Sequence, residues 1–274
     1  MIKRRAIITF TFTMATLLTA FAGGAQAAQC GSSPAGFEAW KREFGEEARA
    51  KGVGGTALAA LMQTNYASAT IAADRGQRSF SLSLDQFLAK RGAAAIVSRG
   101  RQLKQSQAAM FASIEQRYGV PPGPLIAIWG MESAFGSQRG NQHMLSSIAT
   151  LAYDCRRPEF FTEQLYAALK LIDRGVLSGA TRGSMHGEVG QTQFMPSSWI
   201  KYAVDFDGNG RRDLIRSAPD VLASTANYLK GYGWQKGKDW EPGGPNFAVI
   251  QQWNKSEVYA RTIATFATQL ARAP

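Results

Sequence analysis

The sequence predicts a mainly α-helical fold with minor β structure. Apolar residues recur three and four positions apart through most of the chain after Cys30, which places them on one face of a helix. Glycine and proline close those runs, most clearly at Gly119-Val-Pro-Pro122. Residues 234–244 mix glycines, charges and a proline, and read as a loop or a small hairpin.

The chain opens on Lys3-Arg4-Arg5, an apolar run over 6–22 and the small-residue site Ala25-Gln-Ala27. That is the pattern of a secretory signal peptide, not of a retained transmembrane helix. Cleavage near Ala27 leaves about 247 residues, enough for one large domain or two intimate ones. Cys30 follows Gln29 and not a small residue, so soluble export is expected in place of lipid anchoring. Phe37, Trp40 and Phe44 mark the first amphipathic helix, and a shorter segment follows around 58–62 after the glycine-rich 52–55. Residues 93–118 carry Ile96, Val97, Leu103, Phe111, Ile114 and Tyr118 and form a helical region stopped at Gly119. The next helix starts at the prolines and is closed by Gly136. Leu165, Ala168, Leu169 and Ile172 share a stripe over 161–174, with Gly175 as the stop. Pro196 and its serines open another helix. Ser217-Ala-Pro-Asp220 begins one carrying Leu222, Ala226 and Leu229, and the last runs over 256–271. No internal repeat is visible, and no appended wall-binding module is expected.

The formal charge of +11 includes the three signal-segment cations, leaving about +8 on the exported chain. Such a balance suits an anionic polymer or membrane surface, ordinary solubility being the plain alternative. Dense basic runs of the kind that bind nucleic acid are missing. Cys30 and Cys155 are the only cysteines. In an oxidising compartment an even pair favours a disulfide over two buried thiols. Its loop would exceed a hundred residues, for a nominal stabilisation of about 4–5 kcal/mol.

The stretch Trp129-Gly-Met-Glu132-Ser-Ala-Phe-Gly136 carries the most chemistry. Leu125, Ile128 and Trp129 recur at helical spacing, and Glu132 is the next position on that apolar stripe. Desolvation of a carboxyl there favours its neutral form and leaves a proton to donate near neutral pH. A general acid for glycosidic cleavage needs that property, although spacing alone also fits a structurally paired glutamate. A second cluster, Gly183-Ser-Met-His-Gly-Glu188-Val-Gly-Gln-Thr-Gln193-Phe-Met-Pro196-Ser-Ser198, offers glycines for close ligand approach and an amide that both donates and accepts.

Taken in order, Gly-Val-Pro-Pro122, the Glu132 stretch, Ala149-Thr-Leu-Ala-Tyr153-Asp, Gly190-Gln-Thr-Gln193-Phe-Met-Pro-Ser-Ser198, Ala226-Asn-Tyr228-Leu and Asn254-Lys-Ser256 closely resemble the lytic murein transglycosylase B family. The resemblance runs from about residue 31 to the end. It implies a catalytic domain over 28–274, with a helical extension at about 31–118 and a lysozyme-like core at about 119–274. It also implies a periplasmic enzyme that cleaves the β-1,4 bond between N-acetylmuramic acid and N-acetylglucosamine without water. The muramoyl C6 hydroxyl attacks its own anomeric carbon, giving a 1,6-anhydro end.

That chemistry explains a single carboxyl. A retaining glycosidase needs an acid and a nucleophile. Here the nucleophile belongs to the substrate, and the 2-acetamido group steadies the cationic intermediate. Glu132 would protonate the leaving oxygen and then take the C6 hydroxyl proton. The resemblance carries Ser184 and Gln193 over as sugar-binding groups, and Tyr228 and Tyr259 as contacts around the intermediate. At Trp253 the family pattern can hold tyrosine, so a hydroxyl contact is expected to become stacking only, with Asn254 helping to hold that loop. For each aromatic, core packing is the plain alternative. Gln191 and Thr192 differ from an aromatic-glycine pair seen in some relatives. Glu188 is the other acid near the site, and a water-activating role for it would make the enzyme a hydrolysing muramidase. A catalytically idle wall-binding scaffold is the reading from a different class, and a binding module has no need of a buried acid.

No cofactor is required by this chemistry. Asp205-Phe-Asp207-Gly-Asn209-Gly-Arg211 matches the start of an EF-hand loop, with Arg211 placed to give its carbonyl. Arg216 at position twelve cannot close such a site, and Asp220 is the candidate closing ligand of a longer loop like that of some members of the resembled family. A structural calcium is expected there, against an ion-free Asx-rich turn. Two histidines, His143 and His186, exclude a histidine-rich metal site. The implied partner is the peptidoglycan glycan strand. Proteins of wall synthesis or secretion-system assembly are further partners the pattern leaves open, and a monomer is expected.

Overall fold

The computed structural model describes residues 28–76 and 82–272. The predicted signal peptide at 1–27 lies outside the described residues. A 3₁₀ turn (Pro34–Gly36) leads into α1 (Phe37–Ala50), α2 (Gly55–Met62), α3 (Ser68–Arg75), α4 (Leu84–Lys90), α5 (Ala93–Ser106) and α6 (Ala108–Tyr118). After α7 (Pro122–Ser133) come β1 (Gln142–His143), α8 (Met144–Tyr153), α9 (Pro158–Asp173) and β2 (Arg182–Gly183). The chain ends with α10 (Pro196–Tyr202), α11 (Ala218–Gly231), α12 (Pro245–Trp253) and α13 (Glu257–Ala271). No helix among the described residues is long and apolar enough to cross a membrane.

The centre of the molecule is α7. It is apolar all round, with Leu125, Ile126, Ala127 and Ile128 fully buried, as a helix surrounded by others must be. Helices α5, α11 and α13 pack on it. Its start is set by Pro121 in extended backbone and Pro122 within the first turn. A Cβ at Gly123 would come within 2.7 Å of the Ala267 carbonyl oxygen, so glycine permits the close approach of α7 to α13. That approach matters because the two helices carry Glu132 and Tyr259.

On the other side, α8 is buried along its whole length and packs on α9, with α1, α2 and α3 against it. Phe37 and Trp40 of α1 meet Tyr153 of α8 with ring centroids 5.6 Å apart in each case, beside the Cys30–Cys155 disulfide. The N-terminal helices therefore share one continuous hydrophobic core with the rest. Gly119, with φ 76°, closes α6 as the helix stop expected there.

Two expectations change. The region over 93–118 breaks at Gln107 (φ −119°, ψ 26°) into α5 and α6. The break lets the two stretches reach different partners, α5 packing on α7 and α13, and α6 on α11. Residues 234–244 form turns and no strand. The described β structure is instead the two-residue antiparallel pair of β1 and β2, with Gln142 opposite Gly183 and His143 opposite Arg182.

Candidate active site

Glu132 sits one residue before the end of α7, at the wall of a cleft of about 320 Å³. Ser184, Glu188, Gln193, Tyr228, Trp253 and Asn254 line the same cleft. The Tyr259 hydroxyl of α13 donates to Glu132 Oε1 at 2.7 Å, and the Trp253 indole N–H of α12 donates to the same oxygen at 2.8 Å. Two donors on Oε1 require its lone pairs. A proton on this carboxyl is therefore carried by Oε2, the oxygen left to a ligand.

Burial raises the Glu132 carboxyl from its ordinary 4.5 to about 7, against the lowering effect of the bonds from Tyr259 and Trp253. The Glu188 charge adds to the rise and the Arg91 guanidinium opposes it. Tyr259 is held well above its ordinary range by burial first and by Glu132 second, so its phenol stays a donor. The site thus keeps a transferable proton at neutral pH and stabilises the carboxylate that donation leaves behind.

The chain turns sharply behind this acid. Ala134 (φ 47°) and Phe135 (φ 60°) occupy the left-handed region, which non-glycine residues adopt at a cost of about 1–3 kcal/mol when over-determined by their surroundings. Those surroundings are visible. The Ser133 hydroxyl donates to the Gln191 carbonyl and accepts from the Gly136 amide at 2.8 Å. One turn earlier, Trp129 Nε1 donates to Gln191 Oε1 at 2.9 Å, and Gln191 Nε2 reaches the Ile215 carbonyl at 3.2 Å. Gln191 is thereby a buried clamp between α7 and the loop before α10. Sequence reading noted it only as a departure from relatives, because its partners lie about sixty residues away.

Each predicted residue has a definite place. Gln193 is held in a left-handed conformation (φ 53°), its Nε2 donating to Gly190 O at 2.7 Å and Arg139 O at 3.3 Å. That leaves Oε1 as its acceptor. The Ser184 hydroxyl donates to the Glu188 carboxylate and accepts the amides of His186 and Glu188, so its donor is already engaged. Tyr228 lines the cleft while its hydroxyl donates to the Gln252 carbonyl at 2.8 Å, and burial pushes its pKa up. Asn254 Oδ1 accepts the Ser256 amide at 3.0 Å, ordering the turn between α12 and α13. The expectation of stacking only at Trp253 is overturned, because its indole N–H makes a polar contact, donating to the Glu132 carboxyl. Tyr259 is buried behind the acid and holds it, and is absent from the cleft lining.

The acidic loop lies on another face. Carboxylate oxygens of Asp205, Asp207 and Asp220 fall within 4.8 Å of one another. Asp220 is fully buried and accepts the amides of Phe206 (2.7 Å), Asp207 (3.3 Å) and Asp213 (2.9 Å). Burial raises its pKa and the Asp207 charge raises it further. Asn209 Oδ1 accepts the Arg211 amide at 2.9 Å, and Arg216 is exposed with its amide on Asp213. Three close carboxylates with no ion-paired cation among the described residues suit a hard divalent ion.

The chain has relatives among known proteins. The model of the transglycosylase SLT domain family matches residues 36–243. The membrane-bound lytic murein transglycosylase B of Escherichia coli K12 is 40% identical over 124 residues, 44% of this chain and 34% of that protein. The matched segment thus spans about a third of the curated relative's length. SltB3 of Pseudomonas aeruginosa, solved with NAG-anhNAM-pentapeptide and with NAG-NAM-pentapeptide, is 31% identical with TM-scores of 0.79 and 0.80. That likeness covers 86% of this chain and 80% of SltB3. The fold is shared further with the E. coli lytic transglycosylase Slt35 in complex with calcium, at 23% identity over 89% of this chain and 96% of that one, TM-score 0.76. On a match spanning most of its length, reinforced by the SltB3 likeness, the chain belongs to the transglycosylase SLT domain family.

Proposed function

We propose that this chain is an exported peptidoglycan lytic transglycosylase acting in the periplasm, with Glu132 as its single general acid and base. The observation that carries the reading is the Glu132 carboxyl, raised to about 7 and held on one oxygen by two donors in a sugar-sized cleft. In the first half-reaction Oε2–H protonates the glycosidic oxygen of the MurNAc-β-1,4-GlcNAc bond as its bond to the muramoyl C1 breaks. The 2-acetamido group steadies the cationic muramoyl sugar, and Tyr259 and Trp253 stabilise the resulting carboxylate. In the second, that carboxylate takes the proton of the muramoyl C6 hydroxyl as it closes the 1,6-anhydro ring. Gln193, Tyr228 and Asn254, which line the cleft, would orient the sugars. Calcium on Asp205, Asp207 and Asp220 would brace the loop that precedes α11, with no part in the chemistry. Within this reading the helices over 31–118 are an extension built onto a lysozyme-like core over 119–274.

Glu188 lines the same cleft, which gives hydrolysis by an activated water a specific alternative residue. Mass spectrometry of murein sacculi digested with the protein separates the two. Muropeptides about one water lighter than hydrolytic products, absent with Glu132→Gln, are expected. Reducing ends lost on Glu188→Gln would make it a muramidase, and no release by the parent protein would leave a binding scaffold.

A further inference from the structure

A second groove lies away from the cleft. It has a volume of about 860 Å³, runs between the end of α9, α10 and the 210–216 loop, and shares no lining residue with the cleft. Arg174, Arg211, Arg212 and Arg216 line it, all four exposed, and their guanidinium groups have no hydrogen-bond or ion-pair partner among the described residues. The contrast within the molecule is clear. Arg75, Arg156 and Arg157 are each paired with a buried aspartate. The one carboxylate of the groove lining, Asp213, turns Oδ1 to the amides of Ile215 and Arg216 and pairs with none of the four arginines.

Four uncompensated guanidinium groups along one groove favour planar anions, which arginine grips in a bidentate manner. The floor narrows the choice. Val176 is 43% exposed, and Trp199 is buried beneath with an indole N–H that has no acceptor among the described residues. A bare phosphate makes no use of an apolar floor. A short peptide with small apolar side chains and several carboxylates uses both features. We propose that this arginine groove binds the carboxylate-bearing peptide stems of the cell wall, holding the enzyme on its polymer independently of the catalytic cleft. The inference rests on peptidoglycan being the substrate.

The test is co-sedimentation of Glu132→Gln protein with sacculi, with and without Arg174→Ala, Arg212→Ala and Arg216→Ala together. These side chains are exposed and unpaired, so unchanged thermal melting of the triple variant is the control for folding. On intact sacculi the triple substitution is expected to weaken retention by about tenfold or more, since it deletes several charge-assisted contacts. On sacculi stripped of stems by an amidase the two proteins should bind alike. Calorimetric titration with the glycan-free stem pentapeptide should show saturable binding that weakens with salt and vanishes in the variant. Equal retention on intact sacculi, or the same loss on stripped ones, would overturn the proposal. The first result would redirect the groove to an acidic protein partner, the second to general charge attraction. Product analysis on stripped glycan is read separately, so a failure of the transglycosylase reading appears there and not in retention.

Discussion

Glu132 combines two requirements that oppose each other. Burial gives it a proton at neutral pH, and the donors Tyr259 and Trp253 keep that proton from being held too tightly. Tyr259→Phe and Trp253→Phe each delete one hydrogen bond that favours the carboxylate. The Glu132 pKa then rises above about 7, because the lowering contribution is lost while desolvation remains. Activity that needs the protonated acid then persists to higher pH, so the alkaline limb of the pH–rate profile moves up. The maximal rate falls at the same time, by about tenfold for each 1.4 kcal/mol of carboxylate stabilisation removed. A profile recorded for both variants checks this, and an unmoved alkaline limb would refute the role given to the two donors. The acid itself was legible in the sequence, because a carboxyl at the next position of an apolar stripe is a local pattern. Its two donors were found as residues but not as donors. They come from 121 and 127 positions away, and no periodicity encodes which atom a distant side chain will face.

Among the elements, the helices read best where capping and a long stripe coincide. Pro122, Gly119 and Gly175 stand where the structure begins or ends a helix. Ser217 caps α11 as its position suggested, accepting the Asp220 amide at 3.3 Å. The short helices α3, α4 and α12 went unread, since a stripe of seven to nine residues is a weak signal that is easily passed over. The break at Gln107 was equally hidden, because tertiary partners and not local residues decide it. The acidic loop is an element whose ligand set crosses such a boundary, joining Asp205 and Asp207 of the turn to Asp220 of α11. If it holds calcium, binding stabilises the fold in proportion to occupancy, by about 2.7 kcal/mol at a hundredfold excess over Kd. For a chain of this size that is an increase of about 5–10 °C in melting temperature. Melting in millimolar calcium against chelator should show it for the parent chain and not for Asp207→Asn. Identical melting in both conditions would mean that backbone amides alone satisfy these carboxylates.

At the scale of the whole molecule, one core joins helices that the sequence suggested as an extension and a core. Periodicity showed which faces were apolar, but not that α1, α2 and α3 would turn theirs onto α8. The two cysteines gave the one long-range constraint that could be read before the fold, and the structure joins Cys30 to Cys155 across 125 positions. The bridge has neighbours that act in the same place. The Gly31 amide donates to the Tyr153 carbonyl at 2.9 Å, and the Tyr153 hydroxyl donates to the Ser33 carbonyl at 3.0 Å. Tyr153 also packs on Phe37 and Trp40. These contacts keep the segment docked without the covalent link, so the main effect of the bridge is on the unfolded chain, whose entropy it limits. Replacing both cysteines by serine should therefore lower the free energy of unfolding by as much as about 4–5 kcal/mol. The turnover number at ambient temperature should stay unchanged, because Glu132 is fixed by α7, α12 and α13, far along the chain from the bridge. Denaturant titration and glycan turnover, measured on the same double variant, test the two halves together. A lower midpoint with full turnover is the expected pair. Loss of turnover while the protein remains folded would show instead that the bridge sets the cleft, and that the N-terminal helices reach the active site through α8.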